Sequence, residues 1–253
     1  VIDIHSHILF NVDDGPGTIE QSIEMLETAA NEGIRNIIST SHLYHPQYSV
    51  PAKVVKNQVK QLQNEMDQRG IPLSIHLGHE VRLNEKLVGL YESKEIYTLA
   101  NSRYLLIELP SNTVPHYTKY IIRDLLSVGT TPIIAHPERN RGIAENPKRL
   151  ESLIRDGAFA QITASSLAGH FGKKVQKLSL ELVTNNLVHT YGSDAHNLST
   201  RPFLFRKGLD YLEKQKELDS IQLFLENNRR VLLNQQLVQY EPRYEKKKWW
   251  KLF

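Results

Sequence analysis

Residues 104–140, YLLIELPSNTVPHYTKYIIRDLLSVGTTPIIAHPERN, hold the pattern on which the fold turns. Tyr104–Leu109 and Thr131–His136 are short apolar runs. Between them Ile121, Leu125 and Val128 recur at helical spacing until Gly129 ends the stripe. Strand, helix and strand in this order predict two parallel strands joined by a right-handed crossover. Both runs also close on a side chain able to bind a metal, Glu108 in the first and His136 in the second.

The same alternation extends in both directions. Further strands are expected at Val1–His5, Ile34–Thr40, Pro72–Glu80, Phe159–Thr163 and Val188–Ser193. Helical stripes run through Ile19, Ile23, Leu26 and Ala30 behind a Thr18/Gln21 capping spacing, through Val55, Val59, Leu62 and Met66 up to Gly70 and Pro72, and through Val175, Leu178 and Leu182. Seven strands separated by helices predict an α/β fold, a distorted seven-stranded β/α (TIM-like) barrel in a single domain. A doubly wound open sheet is the second choice, since no strand leads into a G-x-G-x-x-G turn. No linker divides the chain, so residues 1–235 read as the domain and 236–253 as a basic, aromatic tail.

Composition limits the chemistry. With no cysteine among 253 residues, a disulfide framework, a thiolate nucleophile, Cys-ligated zinc and an iron–sulfur cluster are all excluded. The net charge of +3 resides in residues 241–253, which hold five basic and two acidic side chains, leaving the body neutral. A neutral body does not provide the basic footprint of a nucleic-acid-binding domain. No apolar run reaches the length of a membrane span. The first residues lack a basic stretch followed by a long apolar one, so the expected location is cytoplasmic, with no signal peptide.

The strand ends carry the functional signal. The first gives His5 and His7, with Asp14 shortly after; the second gives His42, the third Glu80, the fourth Glu108, the fifth His136 and the seventh Asp194 and His196. In a β/α barrel the C-terminal strand ends open on one face, where active sites form. Residues two apart in extended chain share a side, so His5/His7 and Asp194/His196 can each grip one ion or two neighbouring ions. Five imidazoles and four carboxylates suit Mn²⁺, Fe²⁺ or Zn²⁺ better than Ca²⁺, and exceed the needs of one ion. Two or three ions are expected, and such pairs support in-line displacement at phosphorus or carbonyl carbon. Asp13 reads as a turn residue, His76 as a hydrogen-bonded core residue, and His79 as pointing away from Glu80. His45, His116, His170 and His189 read as surface or core residues.

The segments DIHSHIL and VDDGP near the start, STSHLYHP (39–46), LGHEVRLN (77–84), LLIELP (105–110), IAHPERN (134–140) and GSDAHNLSTRP (192–202) together resemble the PHP (polymerase and histidinol phosphatase) superfamily. They are most similar to its bacterial capsule- and exopolysaccharide-associated protein-tyrosine phosphatases. The resemblance implies a trinuclear, usually manganese-loaded site and hydrolysis of phosphotyrosine on a cytoplasmic tyrosine kinase controlling polysaccharide export. It implies one ion among His5, His7, Glu80 and Asp194, a second among Glu80, Glu108 and His136, and a third among Asp14, His42 and His196. Phe10 stands where relatives often have proline; no ligand position is substituted.

Arg139 and Arg201 follow ligand-bearing strand ends, and a guanidinium fork suits phosphate. The resemblance gives both positions phosphate contacts. Direct attack on phosphorus without a phosphoenzyme is the expected mechanism. Lys246–Lys248, Trp249, Trp250 and Phe253 combine cations with amphipathic rings, a pattern suited to peripheral contact with the inner membrane surface. The rival readings are a PHP phosphoesterase acting on a small substrate such as histidinol phosphate, a nuclease, an amidohydrolase and a non-catalytic metal-binding module.

Overall fold

In the computed structural model, which describes residues 1–244, the chain forms nine strands and ten α-helices. The strands are β1 (Ile2–Ser6), β2 (Asn36–Ser39), β3 (His42–Leu43), β4 (Ser74–His76), β5 (Glu80–Arg82), β6 (Tyr104–Glu108), β7 (Thr131–Ala135), β8 (Phe159–Thr163) and β9 (Thr190–Gly192). The helices are α1 (Ile19–Asn31), α2 (Ala52–Gln68), α3 (Leu87–Glu92), α4 (Thr118–Ser127), α5 (Arg141–Glu145), α6 (Lys148–Arg155), α7 (Ala164–Leu167), α8 (Lys173–Thr184), α9 (Phe205–Lys214) and α10 (Leu218–Leu232). All strand pairs are parallel, in one sheet of order β1-β2-β4 and another of order β3-β5-β6-β7-β8-β9.

The expected seven-stranded barrel therefore needs correction. Its second and third strands are each divided, as β2/β3 and β4/β5, where the chain passes from the first sheet to the second. The Glu80 amide donates to the carbonyls of Thr40 and Ser41 at 3.2 Å, which holds the two breaks side by side. Gly78 is required there, because a Cβ would lie 2.8 Å from Ile38 Cγ2 and 3.0 Å from the Ser39 carbonyl oxygen. Among the described residues, no continuous ladder closes the sheets into a barrel. The first and last strands meet through the isolated Ser6–Ala195 bridge, with the Asp194 amide donating to the His5 carbonyl and the His7 amide to the Ala195 carbonyl, both at 2.8 Å.

Period-2 alternation places the site. In β6, Leu105 and Ile107 join the large cluster beneath the helices, while Tyr104 and Leu106 join an inner cluster with Ile4, Ile38, Ile133 and Ala135. Glu108 continues that inner column, so its carboxylate sits above apolar packing. At the other end of the column α10 presents Asn227 and Asn228. Asn228 Nδ2 donates to the carbonyls of Ile2 (2.9 Å) and Tyr191 (2.6 Å), and Asn227 Nδ2 to those of His189 (2.8 Å) and Val238 (2.9 Å). Carbonyls in and beside the first residues of β1 and β9, and that of Val238 beyond α10, are thereby satisfied, which exposure to water would otherwise have to do.

The helices follow their stripes. Thr18 caps α1, its hydroxyl accepting from the Gln21 amide, and α2 buries Val55, Val59, Leu62 and Met66. Beyond α10 the chain runs back along the domain: Leu237 donates its amide to Tyr104 Oη at 3.1 Å, and Tyr244 Oη donates to Glu181 at 2.8 Å. The basic aromatic residues Lys246–Lys248, Trp249, Trp250 and Phe253 lie outside the described residues. Among the described residues, no helix is long and apolar enough to cross a membrane.

Candidate metal centre

Nine side chains from six strand ends and the loop after β1 meet above the inner column. They fall into three overlapping groups, His5/His7/Glu80/Asp194, Glu80/Glu108/His136 and His7/Asp14/His42/His196, each with ligand atoms within 4.8 Å of one another. Glu80 is the hub. Its Oε1 is 2.6 Å from His136 Nε2, and its Oε2 lies 3.2 Å from His42 Nδ1, 3.3 Å from His7 Nε2 and 3.4 Å from His5 Nε2. Asp194 Oδ1 is 3.1 Å from His5 Nε2, and Asp14 Oδ1 is 3.2 Å from His196 Nε2. His7 stands between two groups, its ring stacked on His196 with centroids 3.8 Å apart.

Backbone conformation delivers two of these groups. His136 has φ +33° and Asp194 φ +54°, both left-handed. Such a conformation costs a non-glycine residue about 1–3 kcal/mol and is retained where surrounding structure imposes it. Here the reversal at the end of β7 brings the His136 imidazole to Glu80, and that after β9 turns Asp194 towards His5.

The imidazoles are pre-oriented. His5 Nδ1 donates to Gln161 Oε1 (2.9 Å), His7 Nδ1 to Asp13 Oδ2 (3.1 Å) and His196 Nδ1 to the Asp194 carbonyl (2.9 Å). Each bond leaves Nε2 as the nitrogen facing the cluster, the usual second contact of a metal-bound histidine. Asp13 is thus more than the turn residue that was expected. Its Oδ1 accepts from the Gly15 amide at 3.0 Å, as in an Asx turn, while Oδ2 accepts from His7 and from the His42 amide at 3.1 Å. Adjacency to Asp14 masked it in sequence, and Gln161 carried no signal beyond lying on a strand.

The donor set fits a cationic occupant. Asp14 Oδ1, His42 Nδ1, Asp194 Oδ1 and His196 Nε2 are buried without a hydrogen-bond partner. Desolvated lone pairs of this kind are costly unless a cation meets them. Titration reflects the same crowding. Burial opposes charge on His5, but Glu80 and Asp194 outweigh it and push its pKa up to about 10. Burial also opposes charge on Glu80, yet His5, His136 and His42 hold it well below the usual carboxylate range. For Asp194, Arg139, His5 and Arg201 overcome burial in the same direction. Burial and the neighbouring His7 charge lower His196 to about 4.

Two arginines border the cluster. Arg139 pairs with Asp194 Oδ2, and Arg201 spans Asp14 Oδ2 (3.0 Å) and Asp194 Oδ2 (2.9 Å). Arg82, not singled out in sequence, lies 2.9 Å from Glu108 Oε2. A pocket of about 430 Å³ opens over the cluster, with Arg139, Arg201, His45, Tyr48, Asn140 and Phe171 among its lining residues. His45, read from the sequence as a surface or core residue, is half-buried on the pocket wall. His79 is buried away from the cluster, donating to the Val50 carbonyl and accepting from the Tyr97 amide. His76 is half-buried and bonded to Asn36, and His170 donates to the Thr200 carbonyl.

A parallel α/β scaffold with clustered imidazoles and carboxylates at its strand ends, flanked by arginines, defines a candidate multinuclear metal protein. The chain matches the family model described as capsular polysaccharide synthesis, CpsB/CapC, over residues 1–234, and it belongs to that family. Tyrosine-protein phosphatase YwqE of Bacillus subtilis (strain 168) is 40% identical over 253 residues, covering 100% of this chain and 99% of YwqE. Tyrosine-protein phosphatase CpsB of Streptococcus pneumoniae is 33% identical over 241 residues, covering 93% and 99%. A crystal structure from work on YwqE and CpsB, described as unique metal-dependent tyrosine phosphatases, superposes with TM-score 0.94 at 40% identity, covering 98% of this chain and 100% of that one.

Proposed function

We propose that this chain is a metal-dependent protein-tyrosine phosphatase of bacterial capsule or exopolysaccharide synthesis, with a tyrosine kinase or its targets as substrate. The observation that carries the reading is the convergence of nine metal-capable side chains, four of them with an orphaned buried polar atom, beneath a pocket that five of the nine line together with two guanidinium groups. The likeness to metal-dependent tyrosine phosphatases over the whole chain supports it. We read the two sheets as one distorted barrel with seven strand positions.

His5, His7, Asp14, His42, Glu80, Glu108, His136, Asp194 and His196 would hold two or three ions; Mn²⁺ is the metal we propose, with Fe²⁺ or Zn²⁺ also suited to mixed nitrogen and oxygen donors. When bound, the ions would supply Lewis-acid charge beside the phosphoryl group and acidify water. Glu80, in reach of four imidazoles, would be the carboxylate shared between ions. Arg139 and Arg201 bind non-bridging phosphate oxygens through planar forks, and Asp194 orients both guanidiniums from behind. With no cysteine in the chain, transfer to a thiol is ruled out; direct transfer of the phosphoryl group to water, without a phosphoenzyme, is the route this reading takes. Tyrosine, with a pKa of about 10, departs more readily than an alkyl alcohol. The protein acts in the cytoplasm, and the segment 246–253 contacts the inner membrane surface where a kinase substrate would be held.

The test is hydrolysis of a phosphotyrosyl peptide beside histidinol phosphate, with Mn²⁺, with EDTA and in His136→Ala. Turnover of the peptide that EDTA abolishes and His136→Ala lowers at least a hundredfold is expected. Activity surviving both would overturn the metal mechanism, and a preference for histidinol phosphate would overturn the substrate.

A further inference from the structure

The pocket holds rings that the fold itself does not use. His42, His45 and Tyr48 form a cluster of near-parallel rings, each against the other two: His42–His45 centroids are 4.6 Å apart at 27°, His45–Tyr48 centroids 5.6 Å at 18° and His42–Tyr48 centroids 6.0 Å at 11°. A candidate metal ligand thus touches a half-buried tyrosine both directly and through His45. Phe171 enters the same pocket from the chain after α7, with the Arg139 guanidinium 5.2 Å from its ring centroid. The two contributions come from different sides, because β5, β6 and β7 lie between β3 and β8 in the sheet.

Neither Tyr48 nor Phe171 belongs to the apolar core. The partly buried aromatics packed against it include Phe10, Tyr97, Tyr117, Tyr211 and Tyr244, and these two are not among them. Tyr48 leans on His45 and Phe171 on Arg139, yet both rings are only half-buried, and folding does not call for their remaining apolar surface at a polar pocket beside two arginines and a carboxylate cluster. A flat apolar group of the ligand, arriving with its anionic end at Arg139 and Arg201, would cover them.

We propose that His45, Tyr48 and Phe171 form an aryl-binding collar that holds the ring of an aryl phosphate over the carboxylate–histidine cluster, so that this chain selects aryl over alkyl phosphate monoesters. The proposal rests on the phosphatase reading and adds the residues that choose the substrate class. Tyr48 and Phe171 contact the ring by offset stacking or edge-to-face packing; His45 holds Tyr48 in place by packing against both it and His42. Each aromatic contact of this kind contributes about 0.5–1.5 kcal/mol beyond area burial, or roughly 3- to 10-fold in binding.

Binding of non-hydrolysable analogues separates ring recognition from leaving-group chemistry. The readout is the ratio of inhibition constants for benzylphosphonate and propylphosphonate against the Mn²⁺-loaded full chain. The parent should favour benzylphosphonate at least tenfold. Tyr48→Ala and Phe171→Ala should each cut that preference about 3- to 10-fold with little change for propylphosphonate, and the double variant should nearly abolish it. Tyr48→Phe and Phe171→Tyr keep the ring and should keep the preference. If an alanine variant loses its circular-dichroism signature, Leu at that position restores volume without a π face and gives the same reading. An unchanged preference in the double variant would overturn the collar while leaving phosphotyrosine turnover, and so the phosphatase reading, intact. Selective benzylphosphonate binding by a parent that does not hydrolyse a phosphotyrosyl peptide would overturn the phosphatase reading and leave the collar standing.

Discussion

Asp13 and Arg201 show how much single side chains carry beyond their residue type. Asp13 sets the direction of His7 and also fastens the His42 amide, so two candidate ligands depend on one carboxylate. Asp13→Asn should lower Mn²⁺ affinity about 10–100-fold, as loss of such supporting bonds commonly does, and competition with a fluorescent chelator measures it. Unaltered affinity would show that His7 is held without it. Arg201 reaches Asp14 and Asp194 with separate nitrogens. A lysine ammonium is a point charge and cannot span both. Arg201→Lys should cut kcat/KM for a phosphotyrosyl peptide by about 10- to 100-fold, in line with loss of a charged hydrogen bond, with an equal weakening of inhibition by inorganic phosphate. The sequence displayed the ligands themselves because histidines and acids at strand ends stand out. It did not display Gln161, Arg82 or the role of Asp13, since a residue that orients another is recognisable only from the contact.

At the scale of elements, packing of α9 against α7 and β9 sets where Asp194 and His196 emerge. Gly208 in α9 permits that approach. A Cβ there would lie 2.2 Å from Tyr191 Oη and 2.9 Å from the Ala164 carbonyl oxygen. The backbone oxygen cannot rotate aside, so Gly208→Ala should destabilise by about 1–3 kcal/mol despite alanine's better helix propensity. Calorimetry should show a Tm lower by several degrees, at about 2–4 °C per kcal/mol for a chain of this size; an unchanged Tm would contradict the close packing. Helices such as α2 were legible because Val55, Val59, Leu62 and Met66 form a regular buried stripe. The divided strands were not, since an apolar run reads alike whether it remains in one sheet or crosses to another.

For the molecule as a whole, buried histidines remote from the cluster govern acid tolerance. His189 is 1% exposed, accepts from the Ala160 amide through Nδ1 and has an orphaned Nε2. Burial lowers its pKa from 6.5 to about 3. The folded state thus refuses a proton that the unfolded chain accepts. Stability from this site is fully present above pH 6.5 and falls as pH drops towards 3, by up to about 1.4 kcal/mol per pH unit. Asp3 acts in the opposite sense. Burial raises its pKa to about 6, so its contribution is greatest below pH 3.8 and declines as pH rises to 6. His189→Asn keeps an acceptor for the Ala160 amide but cannot titrate. In metal-free urea denaturation between pH 7 and pH 4 it should lose less stability than the parent; parallel curves would refute the assignment.

The order of residues along the chain was enough to establish alternating parallel strands and helices, the absence of thiol chemistry, and the strand ends at which imidazoles and carboxylates collect. Those properties follow from periodicity and residue type, which are local. Tertiary structure alone decided that two strands break and change sheets, that His136 and Asp194 adopt left-handed backbone, that His7 stands between two ligand groups, and that Tyr48 and Phe171 share a pocket. Each of these depends on atoms brought within a few ångströms from distant parts of the chain. Such proximity is a product of packing, and no spacing between neighbours in sequence encodes it.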